Sequence, residues 1–184
     1  KYFGRFSICF NFPVDICIIM DDDIVPGINC LKNYIEQHLE TNAIIGGNGR
    51  FAFNNIYSSY SIHNIKNKKL IQPPETGIRK ENILADFVGH LWCFKKDWLY
   101  YMFAIKPFTF DTGEDMHLCF SCKILGNIES YTCKQENPDD NCDIYNNKLA
   151  NDKFSSYKSD NRELRINVEN YFINNYNLKF ISSD

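Results

Sequence analysis

Apolar positions along the chain gather into short continuous runs and helix-spaced stripes, divided by polar turns. The strongest run, Ile16-Cys17-Ile18-Ile19-Met20, ends abruptly in Asp21, Asp22 and Asp23 and then in Pro26-Gly27. Such a pattern predicts a buried strand emptying into a polar loop. Before it, Phe3, Phe6 and Phe10 share the spacing of one helix face. After it, Ile28, Leu31, Ile35 and Leu39 predict a helix over 28–40 that rests those four side chains on the sheet. Residues 43–45 read as a short strand, and Gly46-Gly47-Asn48-Gly49 as a flexible turn.

A second buried strand pattern covers 85–94, interrupted by Gly89-His90, and glycine inside a strand often marks close approach of a ligand or another backbone. The spacing next predicts a short helix over 95–103 bearing Trp98, Leu99 and Met102, and a helix opening at Glu114 and stopping at Gly126. A strand over 128–133 and a last helix over 162–176, through Leu164, Val168, Tyr171 and Phe172, complete the pattern. Residues 54–75 lack a clean period and read as loop or edge structure, while the Asn-, Asp-, Lys- and Ser-rich stretch 135–160 reads as a polar loop or lid. Strands alternating with helices give an α/β class, and 184 residues suit one domain, 1–184.

Composition changes this picture in three places. A hydrophobic content of 44% fits a packed core, whereas a net charge of −3 without a long Lys/Arg run argues against a nucleic-acid binder. Four of the eight cysteines, Cys9, Cys17, Cys93 and Cys119, sit inside apolar runs, where a thiol packs as a small hydrophobe. With no Asn-X-Ser/Thr acceptor, this favours a reducing, cytoplasmic compartment over a disulfide framework. The sequence also shows no signal-peptide pattern and no apolar run of membrane-spanning length.

Candidate chemistry lies in two acidic clusters. In extended backbone Asp21 and Asp23 share a face while Asp22 points away, and paired carboxylates at a strand end suit a hard divalent cation. Asp clusters also cap helices and decorate solvated turns, so the pattern alone leaves both readings open. An EF-hand loop is not met, because its glycine and terminal glutamate positions are not filled. Glu114 and Asp115 fall in the first turn of a helix, where Thr112 and Asp115 have the spacing of a capping box and where a carboxylate also stays ionised for base chemistry. Arg5, between aromatic residues, is placed to reach a phosphate. His90 and His117 are candidate site or core histidines, Trp92 and Trp98 candidate sugar platforms or core, and Cys119, Cys122, Cys133 and Cys142 a weak zinc pattern.

The segments Lys-Tyr-Phe-Gly-Arg-Phe (1–6), Asp-Asp-Asp-Ile-Val-Pro-Gly (21–27), Ala-Asp-Phe-Val-Gly-His-Leu-Trp (85–92) and Gly-Glu-Asp-Met-His-Leu (113–118) occur in an order that resembles GT-A-fold glycosyltransferases, closest to family-2-like enzymes of protists and large DNA viruses. The resemblance implies a Rossmann-like mixed sheet flanked by helices. It implies that Asp21 and Asp23 hold Mn²⁺ or Mg²⁺ against the diphosphate of a UDP-sugar, with Asp22 near the ribose. Gly89, His90 and Trp92 would line the donor sugar, Asp115 would be the base of an inverting transfer, and Glu114 would partner the hydroxyl-bearing or carbohydrate acceptor. The family has a longer segment before the Asp-X-Asp strand, so the resemblance implies an N-terminally truncated domain, its nucleobase grip missing or supplied by another chain. Where the family often has His-Pro, this chain has Asn137-Pro138, which removes one expected histidine. Two other readings remain: a nucleotidyltransferase, for which Gly46 to Arg50 is a poor triphosphate loop, and a non-catalytic domain that binds carbohydrate or a partner.

Overall fold

The computed structural model describes residues 2–22, 24–52, 80–140 and 159–181, with side chains from 163 onward in the last stretch. The described elements are helices α1 (Gly4–Ser7), α2 (Cys30–Thr41), α3 (Leu99–Ala104), α4 (Glu114–Gly126) and α5 (Ser159–Tyr176) and strands β1 (Ile16–Met20), β2 (Ile44–Arg50), β3 (Ile83–Ala85), β4 (Phe87–Lys95) and β5 (Ser130–Thr132), in the chain order α1-β1-α2-β2-β3-β4-α3-α4-β5-α5. The expected loop over 54–75 and most of the expected lid over 135–160 lie outside the described residues.

The strands form one mixed sheet in the order β1-β4-β2-β5-β3. Only β2 and β5 run parallel; the other three pairings are antiparallel. Both faces of this sheet are covered, and the apolar runs of β1 and β4 follow from that. On one face, Cys17 and Ile19 of β1 and Trp92 and Phe94 of β4 join Phe6, Leu99, Met102, Leu118, Phe120, Val168 and Phe172 in the larger core. On the other, Leu91 and Cys93 of β4 and Ile45 of β2 pack with Cys30 and Tyr34 of α2. The molecule is therefore a mixed α/β sheet flanked by helices.

Three expectations fail, each for a physical reason. Gly46-Gly47-Asn48-Gly49 is strand, not turn: β2 is central, bonded to β4 on one side and β5 on the other. A Cβ on Gly46 would lie 2.3 Å from Val88 Cβ, so the glycine marks close packing between strands. The predicted sheet-facing stripe of α2 largely faces solvent, with Ile28 87%, Leu31 44% and Leu39 63% exposed; only Ile35 packs in part. The buried face instead carries Cys30, Tyr34, Gln37 and His38. Polar partners make that face tenable: His38 Nδ1 lies 2.7 Å from the Ala43 carbonyl, Asn82 Nδ2 donates to Gln37 Oε1 at 2.9 Å, and Gln135 Nε2 donates to Tyr34 OH at 3.2 Å. Lastly, the Thr112–Asp115 capping box does not form. Gly113 is the N-cap of α4, and Thr112 Oγ1 is buried without a hydrogen-bond partner among the described residues.

All seven described cysteines are buried. Burial pushes Cys17, Cys93 and Cys119 up to about 12, so they pack as protonated thiols. Cys142 lies outside the described residues, and no helix among them is long and apolar enough to cross a membrane.

The close approach at Gly46 sets a stability test. Gly46→Ala should lower the unfolding free energy by about 1–3 kcal/mol through overpacking. Gly4→Ala, where nothing lies within 4 Å of the new Cβ, should stay within about 0.5 kcal/mol. Urea denaturation of both variants checks the contrast.

Candidate active site

A strand buried on both faces sheds its charges at its ends, and β1 does so at Asp21. The β1–β4 ladder continues one step past Met20, where the Asp21 amide donates to the His90 carbonyl at 2.8 Å. Opposite, β4 carries an extra residue relative to β2: Gly46 pairs with Trp92 and Asn48 with Gly89. The extra residue falls at His90-Leu91, and His90 takes a left-handed φ of 67°. A non-glycine residue there is strained by roughly 1–2 kcal/mol. The bulge reverses the inside–outside alternation of β4, so that Phe87 and Trp92, an odd number of positions apart, reach the same core.

The second acidic cluster comes from α4. Its N-cap, Gly113, has φ 77°, and a Cβ there would press on Val168 Cγ2 at 3.1 Å, so glycine serves both the turn and the contact with α5. From this cap Glu114 enters the interior and Asp115 points toward the bulge: a Cβ on Gly89 would lie 3.8 Å from Asp115 Oδ2 and 4.0 Å from Trp92.

Arg5 joins the two clusters. Its Nη1 donates to Asp21 Oδ1 and its Nη2 to Glu114 Oε1, across 109 positions of sequence. The guanidinium lies over the Trp92 ring, Cζ 4.5 Å from the centroid. Trp92 is 2% exposed, and its Nε1 donates to the Val88 carbonyl at 2.7 Å, so in this arrangement the indole is a floor beneath Arg5. Burial works against the Arg5 charge, yet Asp21 and Glu114 more than offset it and raise its pKa. Asp115 has its own counter-ion. Arg165 Nη2 of α5 donates to Asp115 Oδ2 at 2.7 Å, while the Met116 amide donates to Oδ1 at 2.8 Å.

Thus Arg5, Asp21, Gly89, His90, Trp92, Glu114 and Asp115 come together at one end of the sheet. Asp22 is exposed beside them, and Asp23 lies outside the described residues. His117 belongs to the core instead: its Nε2 lies 2.9 and 3.1 Å from the Met102 and Ile105 carbonyls, and its ring meets Phe3 and Phe172 edge-on. Trp98 is likewise buried. Among the described residues no group of three or more His, Cys, Asp or Glu side chains is arranged to hold a metal ion.

Arg165 was missed by pattern reading, although a signal existed. Arg165 and Glu169 fall on the same helical stripe as Val168 and Phe172, and a charge on an apolar stripe is buried with a partner. No family model matches the chain, and no curated protein matches it in sequence.

Two carboxyls at this site are held back from ionising. Burial, then Asp115, push Glu114 up to about 7 despite the pull of Arg5. Burial pushes Glu169 up to about 8, more than Arg165 lowers it, with Asp86 adding. Both have an ordinary value of 4.5, so at neutral pH the folded chain binds more protons than the unfolded chain. Stability therefore falls as pH rises through the folded values. His38 and His117, lowered by burial, act in the opposite sense below 6.5. Urea midpoints should accordingly drop between about pH 6.5 and about pH 8, and Glu169→Gln should shrink that drop. An identical drop in the variant would show that Glu169 does not titrate there.

Proposed function

We propose that the chain is a GT-A-like glycosyltransferase that moves a sugar from a UDP-sugar to an acceptor hydroxyl, with inversion and with Mn²⁺ or Mg²⁺. The supporting observation is the meeting of Asp21 with Glu114 and Asp115 at one end of the mixed sheet, joined by Arg5. Ligand sites at strand ends are the habit of open α/β sheets.

Asp21, whose Oδ1 accepts from Arg5, offers a hard carboxylate oxygen of the kind such a divalent cation prefers. Asp21 and Asp23 would hold the metal, which as a Lewis acid offsets charge on the departing nucleoside diphosphate. Arg5, raised further into its charged form by the carboxylates around it, would supply positive charge to the diphosphate.

Asp115 carries the proton. One oxygen is held by Arg165 and the other by the Met116 amide, and Oδ2 lies on the Gly89 side, 3.8 Å from where a Cβ on that glycine would stand. There it takes the proton of the acceptor hydroxyl as that oxygen bonds to the anomeric carbon. The bond from that carbon to the diphosphate oxygen breaks with its electron pair, through an oxocarbenium-like transition state. Glu114, balanced near neutrality, can donate or accept a hydrogen bond to the acceptor. His90 and Gly89 shape the wall for the donor sugar.

Calorimetry with UDP, with and without Mn²⁺, tests the reading together with UDP release from a panel of UDP-hexoses. Binding should require the metal and should be lost in Asp21→Asn. Asp115→Asn should reduce turnover by about 10²–10⁴-fold while keeping metal-dependent UDP binding. Metal-independent or absent UDP binding would leave a domain with this fold but without the reaction. Retained turnover in Asp115→Asn would remove the base.

A further inference from the structure

The last helix places one more charged side chain against the site. Arg165 is 3% exposed, its Nη2 lies 2.7 Å from Asp115 Oδ2, and its Cζ stands 5.6 Å from the centroid of the Phe87 ring. We propose that Arg165 is a positioning residue for Asp115: from α5 it fixes the carboxylate so that its open lone pairs meet the acceptor hydroxyl on the Gly89 side. This rests on the reading of Asp115 as the base.

Packing alone does not account for the residue. The buried face of α5 also carries Val168 and Phe172, and an apolar side chain at 165 would complete it without burying a charge. Two contacts instead divide the carboxylate of Asp115 between them, Arg165 at Oδ2 and the Met116 amide at Oδ1. An aspartate side chain rotates freely when nothing holds it, and a base must lie within about 2.6–3.2 Å of the proton it removes. Losing one of two anchors therefore costs proton transfer more than it costs donor binding.

The groups around Arg165 direct its charge toward Asp115. Glu169 lies one turn along α5 and is 2% exposed, Asp86 adjoins from the β3–β4 junction, and Glu114 adjoins on α4. Asp86 is engaged elsewhere, its Oδ2 accepting from the Ala52 amide and its Oδ1 from the Ile181 amide, both at 2.8 Å. Burial keeps Glu169 largely protonated at neutral pH, and Glu114 turns to Arg5. Asp115 is the carboxylate to which Arg165 Nη2 donates, at 2.7 Å.

Arg165→Met and Arg165→Lys, studied in the full chain, test the proposal. In Arg165→Met, kcat for UDP release from the UDP-hexose that wild type uses should fall by about 10²-fold, while KM and Mn²⁺-dependent UDP affinity stay within about twofold. Lysine should restore about a tenth of the loss or more, because it keeps the charge without the planar fork. Equal losses in kcat and UDP affinity, or an unchanged kcat, would overturn the proposal. A second readout is independent of the reaction: the Met116 backbone amide, followed by ¹⁵N NMR, should shift in Arg165→Met while core amides such as Leu99 do not. If wild type neither binds UDP nor turns over, the transferase reading falls, and an unmoved Met116 amide then overturns the positioning claim as well. Should Arg165→Met fail to fold, Arg165→Lys carries both readouts.

Discussion

One guanidinium holds the candidate site together. Asp21 ends the first strand and Glu114 begins the fourth helix, and two carboxylates so close repel unless a positive charge stands between them. Arg5 supplies it from the short first helix, with Trp92 beneath. Removing one partner from such a partly buried cluster leaves an uncompensated charge, typically a cost of about 3–5 kcal/mol when burial is complete and less at 28% side-chain exposure for Arg5. The same contact therefore fixes the N-terminal helix to the sheet and brings the acidic clusters face to face. Fold and site depend on it together.

Two backbone irregularities put the carboxylates where Arg5 can reach them. The extra residue at His90-Leu91 interrupts the β2–β4 ladder beside the end of β1, where the His90 carbonyl accepts from the Asp21 amide. The left-handed Gly113 turns the chain into α4 with Glu114 directed inward. Neither is an economical way to build a sheet or a helix. A histidine at φ 67° is strained, and a glycine cap gives up the side-chain oxygen that Thr112 might have supplied one residue earlier. Both irregularities stand where the two charged clusters meet, whereas the left-handed Asn42 and Asn127 close helices α2 and α4.

Much of the fold could be read from periodicity, and the places where reading failed share one cause. Strands β1 and β4 and helices α3, α4 and α5 announce themselves because apolar side chains bury them, and apolar spacing is visible in a linear sequence. Helix α2 is buried through Tyr34, Gln37 and His38, whose tolerance of burial depends on Asn82, Gln135 and the Ala43 carbonyl; no local pattern reveals those partners. The glycines of β2 likewise looked like a turn until a strand on each side made them the centre of a sheet. At the site, Asp21, Glu114, Asp115 and Arg5 were legible as residue types at strand and helix ends. Arg165 was not, because its meaning lies in the packing of α5 on α4.

Adjacent residues Glu114 and Asp115 show how that packing separates two like groups. Both sit in the first turn of one helix, where the backbone favours negative charge equally. Their surroundings differ: Glu114 enters the interior, where burial and its neighbour outweigh Arg5 and bring it to about 7, whereas Asp115 remains partly exposed with an arginine of its own. One carboxyl is thereby poised to carry or release a proton near neutrality while the other is anchored as an acceptor. Their counter-ions are two arginines, Arg5 of α1 for Glu114 and Arg165 of α5 for Asp115, from helices that bracket α4 in sequence and meet it in space.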